Sequence, residues 1–159
     1  MRSKASSKRN LARAGVLAGG IGLALIAATG GAQAYAYDGS DPSSTGCSAD
    51  ATTVESATVK NSNMTFGTIE LRYSLKCHTA WARLTLNYTQ YACGNASAGY
   101  DCAHAYIVRN NDGRKYSCTI NKGQTQCYTP MVYDKGLTSY AQAAIDSAAG
   151  MANTRTASY

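Results

Sequence analysis

From Thr68 to Thr89 apolar and polar residues alternate with a period of two. Ile69, Leu71, Tyr73 and Leu75 interleave with Glu70, Arg72, Ser74 and Lys76, and Ala80, Ala82, Leu84, Leu86 and Tyr88 interleave with Trp81, Arg83, Thr85 and Asn87. Successive side chains on a strand point to opposite faces, so the pattern predicts two strands that each have one apolar face. The interruption between them, Lys76-Cys77-His78-Thr79, predicts the turn of a hairpin. A turn over those residues sets Leu71 opposite Leu84, Ile69 opposite Leu86 and Arg72 opposite Arg83, with Glu70 and Trp81 as diagonal neighbours on the polar face. A slip of one residue would turn the whole apolar set toward water.

A second meander is expected downstream. Strands over Ala103–Val108, Arg114–Ile120 and Gln124–Met131 are separated by the turn formers Asn110-Asn111-Asp112-Gly113 and Asn121-Lys122-Gly123. Pro130 confines the last of them to an edge or a strand end. Residues 139–149 are Ala-rich, and two readings compete. Ser139 as N-cap and Gly150 as stop suit a short helix, whereas the spacing of Leu137, Ser139, Ala141, Ala143 and Ile145 suits a closing strand, which is favoured. Residues 35–46 contain turn formers and two tyrosines with no aliphatic side chain, the pattern of an extended N-terminal arm. The fold class expected is all-β: a small disulfide-stabilised β-sandwich or partly open barrel, formed by one domain over residues 47–159.

Charge changes the picture once its distribution is considered. The chain of 159 residues has 15 Lys and Arg against 9 Asp and Glu, which suggests a nucleic-acid binder. Five of those cations, Arg2, Lys4, Lys8, Arg9 and Arg13, precede an uncharged run from Ala14 to Tyr37, and without them ten cations face nine acids. The body then has almost no net field to steer it toward phosphate, so nucleic acid is not an expected partner. A basic start, an apolar run and the small-x-small exit Ala32-Gln33-Ala34 form a secretory signal peptide over residues 1–34. The run is dense in glycine and short for a bilayer span, so cleavage is favoured over an uncleaved anchor and no membrane association is expected afterwards.

All six cysteines, Cys47, Cys77, Cys93, Cys102, Cys118 and Cys127, follow that leader. In an oxidising exterior they are expected to form disulfides. Six cysteines allow 15 pairings, and the sequence leaves the choice open. The equal spacing of Cys93 to Cys102 and of Cys118 to Cys127 suggests two short-loop bridges, with Cys47 and Cys77 left to each other. Without a C-x-x-C pair, and with His78 and His104 at no ligand spacing, no metal and no cofactor are expected.

The segments Asp41-Pro42, Thr45-Gly46-Cys47, Asp50-Ala51, Glu70-Leu71-Arg72-Tyr73-Ser74, Cys77 and Ala80-Trp81-Ala82-Arg83 resemble a secreted YjfA-like family of uncharacterised domains from Gram-positive, mainly actinobacterial, proteins. The match runs over roughly residues 38–90, most specifically in L-R-Y-S-x-x-C-x-x-A-W-A-R, and more loosely toward Tyr133. The resemblance implies a small β-rich extracytoplasmic domain with a Cys47–Cys77 bridge. It implies no catalytic residues. The four further cysteines and the longer tail depart from the family pattern.

Residues for chemistry are few. Ser74 with Cys77-His78, or Asp101 with His104, could sketch a triad, but there is no G-x-S-x-G elbow, and His78 falls in an expected surface turn. No catalytic residue is therefore assigned. Binding candidates are the outward cluster Glu70, Arg72, Trp81 and Arg83, rich in hot-spot residue types, and the arm residues Tyr35, Tyr37 and Asp38, placed to add to a partner's edge or groove. The competing account is internal: a Trp-Arg stack and a Glu-Arg bridge, or a Trp in a sandwich core. The expected function is a secreted, non-catalytic binding or adaptor protein that engages another secreted protein in an extracellular assembly, with competition between bacteria as one setting. The alternatives are a cell-wall or glycan-binding protein and a small secreted hydrolase.

Overall fold

The structure, a computed structural model, describes residues 35–91, 102–147 and 149–159. The leader at 1–34, Cys93 and Asp101 lie outside the described residues. A 3-10 turn, Cys47–Asp50, is followed by nine strands: β1 Thr52–Lys60, β2 Thr65–Ser74, β3 Thr79–Leu86, β4 Ala103–Arg109, β5 Lys115–Ile120, β6 Gln126–Tyr128, β7 Val132–Tyr133, β8 Ser139–Ser147 and β9 Gly150–Arg155. They form two antiparallel sheets. The first has the order β1-β2-β3-β6, with β7 also paired to β3, and the second the order β5-β4-β8-β9. The expectation of an all-β, disulfide-stabilised fold holds, and the architecture is a two-sheet sandwich rather than a closed barrel.

The core is the space between the inner faces. Ile69 and Leu71 from β2, Ala80, Ala82 and Leu84 from β3, Ala105 and Ile107 from β4, and Ala141, Ala143 and Ile145 from β8 meet there. Each set alternates with positions on the outer face of its sheet, as a period of two requires. Gly67 lets β2 approach β3: a Cβ on it would overlap the Thr85 carbonyl oxygen and lie 2.9 Å from the Leu86 Cα.

Three expectations are corrected and one strand is added. The hairpin turn is Leu75–His78, one residue earlier than the pattern suggests, so Ile69 faces Leu84, Leu71 faces Ala82, Glu70 faces Arg83 and Arg72 faces Trp81. The shift preserves the face of every side chain, which is why alternation alone could not detect it. The downstream meander is broken. β4 and β5 form a hairpin in the second sheet, but β6 returns to the first and pairs with β3 through Leu84 and Cys127. Consequently the Cys118–Cys127 bridge ties β5 of one sheet to β6 of the other.

The third correction concerns residues 35–46, which are not an extended arm. They fold in consecutive turns, and Gly39 N and Ser40 O bond to Met131 O and Met131 N, each at 2.9 Å. Pro42 is buried, and the Cys47–Cys77 bridge anchors the segment to the β2–β3 turn. The last is an addition at the C-terminus. The Ala-rich stretch is the strand β8, as favoured, and Gly150, expected only as a helix stop, opens β9 with φ 101°. Burial of Ala141, Ala143 and Ile145 between the sheets outweighs alanine's helical preference.

Candidate functional site

The outward cluster on β2 and β3 forms, but it is satisfied from within. Trp81 is 4% exposed, sealed by Cys47 and Met131 with Ala51 and Cys77 against them. The N-terminal segment is thus a second layer over the outer face of the first sheet, and the Trp belongs to a satellite core. Arg72 donates from Nη1 to Thr53 Oγ1 at 2.7 Å and from Nη2 to Ala51 O at 2.9 Å. Arg83 makes a bidentate pair with Glu70, Nε to Oε2 at 2.5 Å and Nη2 to Oε1 at 2.9 Å. That bond is the main reason the Glu70 carboxyl lies below its ordinary pKa.

The other expected binding residues close one end of the sandwich around a group that sequence reasoning missed. Arg109, the last residue of β4, is fully buried. It donates from Nε and Nη2 to the two carboxylate oxygens of Asp112 at 3.0 and 2.6 Å. From Nη1 it donates to Asp38 Oδ1 at 2.9 Å and to Tyr133 O at 3.0 Å. Tyr35 lays its ring 4.2 Å from the guanidinium and meets Tyr133 edge-on at 6.1 Å. Asp38 Oδ1 also accepts from Tyr133 N at 2.7 Å, and Arg114 Nε stands 3.8 Å from Oδ2. Burial without partners would be costly for Arg109 and Asp38, and the network supplies partners for both, with Asp112 and Arg114 reaching in from the exposed rim. Arg109 is held above its ordinary pKa chiefly by Asp112, and Asp112 is driven down to about 2 chiefly by Arg109. Asp38 and one face of Tyr35 are therefore engaged within the fold, while Tyr35 stays 40% exposed and Tyr37 is an exposed turn residue. A signal was available: the alternation Ala103, Ala105, Ile107 carried two residues further puts position 109 on the inner face, with Asp112 one turn away.

Beside this network lies Asp134. Its Oδ1 accepts from Ser139 Oγ at 2.9 Å, while its buried Oδ2 has no hydrogen-bond partner among the described residues. Burial pushes its pKa up to about 6 against the opposing effects of Ser139 and Arg109. Tyr73, whose hydroxyl lies 3.4 Å from His78 Nδ1, packs edge-on against Tyr159 at 5.4 Å.

Among the described residues, Ser74 is bonded to groups other than a histidine, and Asp101 of the second sketch lies outside them. Ser74 Oγ donates to Asp50 Oδ1 at 2.6 Å and accepts from Cys77 N at 3.1 Å, which braces the hairpin turn. His104 lies on the outer face of the second sheet, where its Nδ1 is 3.0 Å from Thr119 Oγ1. Among the described residues no group of three or more His, Cys, Asp or Glu could hold a metal ion. Cys47–Cys77 and Cys118–Cys127 are bridged, and Cys102 is disulfide-bonded as well, its expected partner Cys93 lying outside the described residues.

Among the described residues, a broad face built from four strands in register is the outer face of the second sheet. Across its strands run the rows Lys115–Val108–Tyr140, Ser117–Tyr106–Gln142–Arg155 and Thr119–His104–Ala144–Asn153. Lys115 Nζ lies 4.0 Å above the Tyr106 ring, and the Arg155 guanidinium 4.9 Å from that of Tyr140. The sequence hid this face, because no motif marks it and its rows exist only once four strands are in register.

Fold and side chains together define a small two-sheet β-sandwich, braced by disulfides, whose buried Arg109 is held by its own acids and whose second sheet carries an aromatic and cationic outer face. The chain belongs to the family described as Protein of unknown function (DUF2690), whose model matches residues 35–142. It is similar to the Uncharacterized protein YjfA of Bacillus subtilis (strain 168), with 41% identity over 119 residues that cover 69% of this chain and 71% of that protein. The YjfA-like resemblance is thereby supported. No solved structure matches the chain. Among the described residues no helix is long and apolar enough to cross a membrane.

Proposed function

We propose that the protein is a secreted, non-catalytic adaptor that joins another secreted protein in an extracellular assembly, a part suited to competition between bacteria. The observation that carries this reading is the pair of cations held on tyrosine faces across the second sheet, Lys115 on Tyr106 and Arg155 on Tyr140. A cation on a ring is positioned without being neutralised, and Tyr and Arg are the residue types of binding hot spots. Such a face complements a partner that presents acidic groups. The bridges Cys47–Cys77 and Cys118–Cys127 support an extracellular setting, where disulfides persist. The internal bonding of Ser74 supports a binding role over a hydrolytic one.

The test is capture from culture supernatant by the tagged full chain, followed by cross-linking. The adaptor reading expects a stoichiometric protein partner whose cross-links map to the Lys115 and Arg155 face, and its loss in the Lys115→Glu/Arg155→Glu variant. Retention on purified cell-wall material with no protein partner would favour the second reading, a wall-glycan binder, for which a separate feature of the same face speaks.

A further inference from the structure

On the outer face of β8, Ala144 stands between two longer side chains, with His104 as its partner on β4 and Asn153 as its partner on β9. Neighbouring strands lie about 4.8 Å apart, so the flanking backbones are roughly 10 Å apart with a single methyl group between them. The next outward positions along β8, Gln142 and Asp146, close the gap at both ends. The result is a depression of ≈170 Å³ whose rim includes His104, Tyr106, Asp146, Met151 and Asn153.

Its walls are set before any ligand arrives. His104 is fixed by Thr119 and stacks on Tyr106, with 6.2 Å between centroids and 26° between planes. Asn153 Oδ1 accepts from Gln142 Nε2 at 2.8 Å, which directs its Nδ2 donor away from Gln142. The rim thus offers a carboxylate that accepts, an amide that donates, and apolar contact from a stacked ring pair and the exposed Met151 thioether. A sugar ring has the matching chemistry: hydroxyls around its edge and C–H groups on its face. The Asp146 carboxylate repels an anionic sugar. The volume is below the roughly 300 Å³ at which pockets begin to hold drug-sized molecules, so it suits one ring.

We propose that this depression binds a single neutral pyranose unit of a glycan, with Asp146 and Asn153 taking hydroxyls and the His104–Tyr106 wall and Met151 taking the C–H face. The site shares Tyr106 with the adaptor face, where Lys115 covers that ring, but its hydroxyl contacts come from Asp146 and Asn153 and not from Lys115 or Arg155.

The experiment is titration of the isotopically labelled full chain, disulfides intact, with glucose, galactose, N-acetylglucosamine and glucuronate, followed by amide NMR. A site for one small ring on an open face binds with a Kd on the order of 1 mM. The expected result is saturable shifts at Ala144, Asn153 and Asp146 with at least one neutral sugar, and weaker or no shifts with glucuronate. Ala144→Leu fills the gap from the solvent side and should weaken binding by about tenfold or more with an unchanged thermal midpoint. Asp146→Asn should weaken the neutral sugar and narrow its advantage over glucuronate. Absence of saturable shifts with every neutral sugar, binding that survives Ala144→Leu, or preference for glucuronate would each overturn the proposal. Because it uses the isolated protein and sugars, its failure is distinct from failure to capture a protein partner.

Discussion

Asp134 gives the sharpest handle on the packed end of the sandwich. Its carboxyl is pushed from an ordinary value of 3.8 up to about 6 by burial. A rise from 3.8 to about 6 corresponds to about 3 kcal/mol between the charged and neutral forms, at 1.36 kcal/mol for each tenfold change in the ionisation constant. The sign follows from which state holds the proton. Below pH 3.8 the carboxyl is neutral in both the folded and unfolded chain, and it costs nothing. Between 3.8 and about 6 the unfolded chain ionises first, so stability falls as pH rises through that window and is constant above it. Replacement by Asn removes the titration and keeps an oxygen for Ser139 Oγ, at the cost of an amide donor where Oδ2 had no partner. The observable is therefore the difference between the proteins, followed by urea unfolding at several pH values. Relative to the variant, the native protein should lose about 2–3 kcal/mol between pH 4 and pH 7. Asp112 and Glu70, whose carboxyls are shifted downward, titrate in both proteins and cancel in the comparison. Parallel stability curves across that window would refute the account of Asp134 as a desolvated acid.

Other substitutions probe the same architecture. Arg109→Met should destabilise by about 3–5 kcal/mol, measured by chemical unfolding, because it leaves the nearly buried Asp38 carboxylate without its ion-pair partner. Trp81→Ala should cost about 3–5 kcal/mol if the Trp is core as described, and an unchanged midpoint would return it to the surface. Gly67→Ala should lower stability by about 1–3 kcal/mol, since β2 and β3 must part to admit a methyl group. Cys47→Ser/Cys77→Ser should cost about 3–4 kcal/mol, the loop-closure value for its 30-residue separation, read as a lower urea midpoint.

Local chemistry determined the elements. Alternation in β2, β3 and β4 and the turn formers between strands were legible because side-chain direction along a strand depends only on the strand's own period. The cysteine spacing suggested the pairing later found at Cys118–Cys127, because a short loop limits which sulfurs can meet. Tertiary structure decided what no local rule contains. The pairing register of β2 with β3 differed from expectation by a shift that leaves every face unchanged, so only the turn geometry could select it. β6 left its expected meander because β3 offered an edge in the other sheet. Tyr35 and Asp38 became part of the packing because Arg109, at the inner end of β4, is a charge that cannot be buried alone. Burial likewise decided the role of Trp81: a side chain at an outward position faces water only if nothing covers the sheet, and here the chain's own N-terminal segment does.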